Sequence, residues 1–196
     1  MTRFKIHPTV ILAAFFPFLG ILTWGQTGLL WLCALLHEAA HIAAYRICGT
    51  KMQTVEILPF GICAIPENSL KITPSNEIFC AAAGPAVNLL LTALLLACPF
   101  SAENETARYL LYCNGALFFI NILPILPLDG GRILYYALAK KHDAALCEKI
   151  CYRCAVVLLL LLLYPVCAAL FGENNPSLAM IWGYLMGITL LRRGSI

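Results

Sequence analysis

Two histidines and a glutamate stand at a spacing that can build a hydrolytic metal centre. His37-Glu38-Ala39-Ala40-His41 follows the apolar run LLWLCALL. On a helix, residues four apart lie on one face, so both imidazoles can reach a single Zn²⁺ at about 2.0–2.1 Å. A zinc ion lowers the pKa of a bound water to about 7, and Glu38 can accept the proton that this water releases. The pattern predicts hydrolysis of a peptide bond.

A third protein ligand is needed, because two imidazoles and a water leave a tetrahedral zinc site one ligand short. The chain has two aspartates, and Asp143 lies in a polar stretch where we expect it to be solvated. Asp129 follows an apolar stretch in which Pro124 and Pro127 break the helix, and Gly130-Gly131 allow close backbone approach or a positive φ. Spacing alone leaves two roles open for Asp129: a metal ligand, or the N-cap of the following helix.

The composition places this centre in a membrane protein. Hydrophobic residues make up 61% of the chain, charged residues 12%, and the mean hydropathy is +0.84. Soluble domains carry about 25% charged residues, and this much apolar surface requires a lipid phase. No basic run is interleaved with aromatic residues, which excludes nucleic acid as a partner. The ten cysteines are scattered, and Cys151-x-x-Cys154 is the only close pair, so we interpret them as small buried side chains.

Hydropathy and charge together predict an all-α polytopic membrane protein with about six transmembrane helices. A span needs about 20 apolar residues. With the N-terminus inside, all but Arg108 of the 13 Lys and Arg residues fall on one side, which predicts that both termini are cytoplasmic. The six apolar stretches are approximately Thr9–Trp24, Gly28–Ile47, Ile78–Phe100, Tyr109–Leu126, Cys154–Phe171 and Leu178–Leu191.

Two segments between the spans are more than simple loops. Met52–Ile65 is rich in β-branched residues and is broken by Pro59 and Gly61, which predicts a short β-hairpin or re-entrant β segment after the second span. Gly130–Lys141 predicts a helix at the cytoplasmic edge. No internal repeat or linker divides the chain, so we expect a single transmembrane metalloprotease domain over residues 1–196.

Four features, in this order, resemble the site-2 protease family of intramembrane zinc metalloproteases, peptidase family M50. They are the pattern at 37–41, then Ile57-Leu58-Pro59-Phe60-Gly61, then Ala83-Gly84-Pro85, and finally Asn121…Pro124…Pro127-Leu128-Asp129-Gly130-Gly131. The likeness runs from about His7 to Leu134 and is greatest to the branch of stage IV sporulation membrane proteases. We expect neither a PDZ domain within the chain nor the CBS extension that is common in the sporulation branch.

The resemblance implies roles for the site residues. His37, His41 and Asp129 would be the ligands of one Zn²⁺, and Glu38 would be the catalytic base. Asn121, Pro124 and Pro127 would shape the substrate channel.

The resemblance also implies a substrate class. Members cut membrane-associated proteins within or near the bilayer, releasing a transcription factor or inactivating an anti-sigma factor, and the sporulation branch processes a sigma-factor precursor. We therefore expect an intramembrane metalloprotease of the bacterial cytoplasmic membrane. Its expected partners are a membrane-associated protein substrate, the lipid bilayer, and a regulatory membrane protein or a second copy of the chain.

Two functions of other classes remain to be weighed. A metal or proton transporter would place polar residues along several spans, and Asn88, Asn114 and Asn121 are the main candidates for such a path. A non-catalytic membrane adaptor would not need the histidine–glutamate pattern or Asp129.

Overall fold

The fold was obtained as a computed structural model, which describes residues 3–6, 23–50, 52–58, 61–66, 72–99, 103–172 and 177–193. Within these ranges the chain forms six helices and three strands. The helices are α1 Trp24–Ile47, α2 Pro74–Ala97, α3 Glu105–Asn121, α4 Asp129–Leu138, α5 Ala144–Gly172 and α6 Ser177–Arg193. The strands are β1 Arg3–Ile6, β2 Met52–Leu58 and β3 Gly61–Pro66.

Local sequence signals start the first three helices. Thr23 and Gln26 form a capping box at α1, in which each side chain accepts a hydrogen bond from the backbone N–H of the other. Thr73 caps α2, and Pro74 occupies its first turn, where the missing N–H costs no helical hydrogen bond. The side chain of Asn104 caps α3. These caps satisfy backbone donors that would otherwise be left without partners at the helix ends.

The prediction of a helical integral membrane protein is confirmed. Within the described ranges, α1, α2 and α5 are long and apolar enough to cross a membrane, and Leu178–Leu191 forms a shorter apolar helix. Large apolar side chains on these helices face outwards, such as Leu94, which is 58% exposed, and Leu161, which is 69% exposed. A face of this kind needs lipid or another apolar partner.

Several helix boundaries differ from the predicted spans. The stretch predicted as Tyr109–Leu126 is helical only to Asn121, after which the chain turns through the segment that contains Pro124. The hydropathy pattern does not mark the end of this helix, because the residues of the turn are as apolar as those of the helix. The helix predicted from Cys154 begins at Ala144, since polar turns precede its apolar part. The first predicted span, Thr9–Trp24, lies outside the described residues except for its last two.

The chain divides into two compact units, Met1–Ile122 and Leu123–Ile196. In the first unit α1, α2 and α3 contact one another, and a buried cluster of Ala44, Tyr45 and Cys80 joins α1 to α2. In the second unit α5 packs against α6 and α4. Its core contains Ile125, Ala155, Leu159 and Leu185.

The three strands form one sheet in the order β1-β2-β3, which belongs to the first unit. β1 runs parallel to β2, whereas β2 and β3 are antiparallel with Val55 opposite Ala64 and Ile57 opposite Ile62. β3 contacts α1, the helix that carries the histidine pair. Because β2 is the central strand, the outer edges of the sheet are those of β1 and β3.

Candidate metal centre

α1 places His37 and His41 one turn apart on its buried face. The two side chains are only 4% and 5% exposed, in a helix whose other residues are mostly apolar. Their rings meet edge to face, with 4.8 Å between the ring centroids. The two Nε2 atoms lie 3.1 Å apart. Two nitrogens bound to one zinc at tetrahedral angles would be about 3.3 Å apart, so the pair has the spacing of two ligands of one ion.

The Nδ1 atoms of both rings face hydrogen-bond acceptors. His37 Nδ1 donates to Asn88 Oδ1, and His41 Nδ1 donates to the main-chain oxygen of Cys80 at 2.7 Å. A carbonyl oxygen can only accept, so in each neutral ring the proton sits on Nδ1 and the lone pair on Nε2. Two lone pairs that face each other at 3.1 Å repel, and a cation between them removes the repulsion. This donor set therefore fits a metal ion, and the acceptors at Nδ1 are the outer partners that histidine ligands commonly have.

Gly84 keeps the space beside the two nitrogens open. A Cβ atom at this position would lie 2.6 Å from His37 Nε2 and would also press on His41 Nε2. Any other side chain would occupy the region into which both lone pairs point. The glycine of Ala83-Gly84-Pro85 is therefore required by close approach, not by a positive φ, since Gly49 is the positive-φ glycine of the described residues.

Asn88 belongs to a buried set of polar side chains inside the first unit. Its Nδ2 donates to Asn114 Oδ1 at 2.9 Å. Asn114 Nδ2 in turn donates to the main-chain oxygen of Leu110 at 2.9 Å and to Cys33 Sγ at 3.3 Å. Sequence analysis gave neither asparagine a role at the metal centre. The available signal was the presence of isolated amides in apolar helices of a membrane protein.

Glu38 lies next to the histidine pair along α1 and is half-buried. One turn beyond His41, the hydroxyl of Tyr45 donates to the carboxylate of Glu77 at 2.9 Å, and both of these side chains are buried. The buried face of α1 thus carries polar groups over several turns, all of which belong to the first unit.

Asp129 belongs to the second unit and is the first residue of α4. Its side chain is buried, and Arg132 Nη1 lies 3.6 Å from Asp129 Oδ1. The N-cap of α4 is Leu128, so the alternative in which Asp129 caps this helix is wrong. Gly131 permits the tight turn before α4, because a Cβ atom there would lie 2.5 Å from Leu126 N and 2.6 Å from the oxygen of Ile125.

The three residues predicted to shape the substrate channel lie around the end of α3 and in the segment after it. Asn121 is the last residue of α3, is half-buried, and donates from Nδ2 to the main-chain oxygen of Leu117 at 3.0 Å. Pro124 is half-buried and Pro127 is exposed. Their role in substrate binding stays a prediction.

Comparison with known proteins finds that the chain is similar to zinc metalloproteases. Residues 102–162 match the family described as Peptidase family M50. A zinc metalloprotease of Methanocaldococcus jannaschii is 32% identical over 158 residues, which cover 78% of this chain and 44% of the relative. Stage IV sporulation protein FB of Bacillus subtilis is 31% identical over 144 residues, which cover 71% of this chain and 49% of the relative. The chain thus spans less than half of the length of these two curated relatives.

A solved structure agrees in fold. The site-2 protease from Methanocaldococcus jannaschii matches with a TM-score of 0.68 and 26% sequence identity, covering 94% of this chain and 87% of the solved chain.

Proposed function

We propose that the chain carries a peptidase M50 domain of the site-2 protease type and is an intramembrane zinc metalloprotease. Its reaction is hydrolysis of a peptide bond within or near the transmembrane segment of a membrane-associated substrate. One observation carries the proposal: two buried imidazoles whose Nδ1 atoms are held by acceptors and whose Nε2 atoms lie 3.1 Å apart. A purely structural histidine pair would not need two facing lone pairs.

The metal of this site is one zinc ion, with His37, His41 and Asp129 as its protein ligands. Two imidazoles and one carboxylate form a ligand set typical of catalytic zinc, which keeps its fourth position open. When bound, the ion supplies an acidified water and polarises the scissile carbonyl. The support for Asp129 is its burial, its place at the start of α4, and its match to the family pattern.

Glu38 is the general base of the reaction. It takes a proton from the attacking water and then delivers a proton to the amine that leaves when the peptide bond breaks. Its position directly after His37 and its half-buried environment support this role. Asn88 and the main-chain oxygen of Cys80 also contribute to the reaction, because their hydrogen bonds fix the orientation of both imidazoles before a substrate arrives.

Substrate access requires that a helical segment unwinds locally, since the backbone groups of an intact helix are already hydrogen-bonded. Within the described residues β3 is an outer strand of the sheet and contacts α1, so its outer edge can accept the unwound segment as an additional strand. Asn121, Pro124 and Pro127 shape the substrate channel, where prolines leave main-chain carbonyls without helical donors. Proline substitutions along β3 should reduce cleavage more than they reduce zinc content, and unchanged cleavage would contradict edge binding.

The whole of 1–196 acts as one metalloprotease domain with six spans, in the bacterial cytoplasmic membrane with both termini cytoplasmic. The support is the distribution of Lys and Arg, which leaves only Arg108 on the opposite side. Arg46 follows the histidine pair and Arg132 follows Asp129, so the centre lies nearer the cytoplasmic face. Labelling of a single cysteine at position 132 should occur from the cytoplasmic side, and labelling from the outside would overturn this topology.

The substrate is a membrane-associated regulatory protein, either a sigma-factor precursor or an anti-sigma factor. The similarity to a sporulation protein of Bacillus subtilis supports this class. A regulatory membrane protein or a second copy of the chain is the expected further partner.

The transporter alternative loses support from the contacts of the asparagines. Asn88 and Asn114 hydrogen-bond to each other, to His37 and to a main-chain oxygen, so both amides are already used in holding His37 and the packing of the first unit. The adaptor alternative does not account for the facing lone pairs.

One experiment separates the three functions. The wild type and Glu38→Gln are purified in detergent, their zinc content is measured by mass spectrometry, and cleavage of a membrane-tethered precursor is followed. A protease predicts about one zinc per chain in both proteins and cleavage by the wild type alone. A wild type without zinc refutes the proposal, and equal cleavage by both proteins refutes the role of Glu38.

A further inference from the structure

We propose that Asn114 is a positioning residue of the metal centre, which acts through Asn88 to hold His37 in its metal-binding tautomer. The proposal rests on the metalloprotease function proposed above. The three side chains are almost fully buried: Asn88 is 0% exposed, Asn114 2% and His37 4%. They lie on three different helices, α2, α3 and α1, so their contacts depend on the packing of the first unit. We refer to Asn114, Asn88 and His37 as the amide relay.

The direction of every hydrogen bond in the amide relay is fixed from one end. The main-chain oxygen of Leu110 can only accept, so the side chain of Asn114 must present its NH₂ group to it. The Oδ1 atom of Asn114 is then the group that faces Asn88 and must receive a hydrogen from Asn88 Nδ2. Asn88 therefore turns its own Oδ1 towards His37, and His37 must carry its proton on Nδ1.

This relay matters for His37 in a way that has no counterpart at His41. The acceptor for His41 is the main-chain oxygen of Cys80, which cannot rotate within α2. The acceptor for His37 is a side-chain amide, whose oxygen and nitrogen exchange places when the group rotates by half a turn. In the rotated state an NH₂ group would face His37 Nδ1, the proton would move to Nε2, and the ring could no longer bind a metal. Asn114 prevents that rotation because its Oδ1 atom accepts a hydrogen bond only when Asn88 turns its NH₂ group towards Asn114 and its Oδ1 atom towards His37.

The surroundings of Asn114 allow it to be replaced by an apolar residue. Asn114 borders a cavity of about 260 Å³ whose other walls include Leu36, Leu91 and Leu95. Asn114→Leu removes the acceptor for Asn88 with an apolar side chain larger than asparagine, and Asn114→Ala removes it with a smaller one, so an effect shared by both variants does not depend on side-chain size.

The test measures metal affinity as well as activity. Apparent zinc dissociation constants are obtained by chelator competition for the purified wild type, Asn114→Leu and Asn114→Ala in detergent, beside thermal unfolding. Loss of a partner behind a metal ligand typically costs about 10–100-fold in metal affinity, and we expect this loss in both variants. The matched control is Thr92→Val on α2, which removes a hydrogen bond of 2.7 Å to the main-chain oxygen of Asn88 but leaves the relay intact.

A second substitution distinguishes positioning from general stability. In Asn88→Asp, both carboxylate oxygens accept, so the proton of His37 stays on Nδ1 whichever way the group is turned. In this background Asn114→Leu should not weaken zinc binding, because orientation at position 88 no longer matters and the substitution removes an Oδ1 atom that would face a carboxylate oxygen. A merely structural role of Asn114 predicts the same loss in both backgrounds.

The outcomes separate this inference from the proposed function. A wild type that binds no zinc overturns the metalloprotease itself. A wild type that binds zinc, with Asn114→Leu and Asn114→Ala at wild-type affinity, overturns only the amide relay. If Asn114→Leu lowers zinc affinity equally with and without Asn88→Asp, the amide relay is also overturned. If Asn114→Leu lowers zinc affinity only in the protein that keeps Asn88, the amide relay is supported.

Discussion

Gly84→Ala is the single-methyl change that the structure predicts to be most damaging to the metal centre. The added Cβ would lie 2.6 Å from His37 Nε2, whereas non-bonded heavy atoms are most stable at about 3.5–4.0 Å. The overlap is therefore about 1 Å, directed at the atom that must bind the metal. His37 cannot retreat easily, because its Nδ1 is held by Asn88, and the methyl group is fixed to the backbone of α2.

The expected magnitude follows from this overlap. Displacing a catalytic group by about 1 Å can cost about 100-fold in rate, and we expect at least this loss of cleavage. Zinc affinity should fall by about 10–100-fold, as it does when the environment of a ligand is disturbed. Intrinsic helix propensity predicts the opposite sign, because alanine is about 1 kcal/mol more favourable than glycine inside a helix. A loss of zinc affinity and cleavage in Gly84→Ala would show that close approach governs position 84, whereas a more stable protein with unchanged activity would show that helix propensity does.

The matched control is Gly115→Ala on α3, where an added Cβ meets nothing within 4 Å. This variant should keep wild-type zinc affinity and should unfold at the same or a slightly higher temperature. Both proteins are purified in detergent, and zinc content, chelator competition and cleavage of a membrane-tethered precursor are measured. Wild-type zinc affinity in Gly84→Ala would show that the space beside Nε2 is not needed for the ion.

Three further predictions concern the rest of the molecule. Gly131→Ala should lower the thermal midpoint and the cleavage rate, because the new Cβ would lie 2.5 Å from the preceding backbone, whereas Gly183→Ala, with nothing within 4 Å, should lower neither. Tyr45→Phe should destabilise the protein by about 1–3 kcal/mol, since the buried Glu77 loses a donor, and denaturant titration in detergent that shows no change would refute this. Asp129→Asn should retain the fold by circular dichroism while zinc content falls, and full zinc content would exclude Asp129 as a ligand.

Much of the architecture could be predicted from local pattern. The apolar stretches predicted both ends of α1, α2 and α6, and the C-terminal end of α5, to within four residues, because hydropathy and helix length are properties of each segment by itself. The end of α3 at Asn121 was missed, since the apolar residues after it continue the hydropathy signal through a turn that contains proline. The start of α5 at Ala144 was missed for the complementary reason, that its first turns are polar.

The sequence by itself determined the chemistry of His37-Glu38-Ala39-Ala40-His41, because a spacing of four on any helix puts two imidazoles on one face. Only the tertiary structure decided what holds them. The partners of His37 and His41 come from α2, at sequence separations of 51 and 39 residues, and no local pattern specifies such contacts. Tertiary packing also decides the roles of Gly84 and Asn114. Gly84 is required only because packing brings the two imidazoles against it, and Asn114 has a role only because packing brings Asn88 within hydrogen-bond distance.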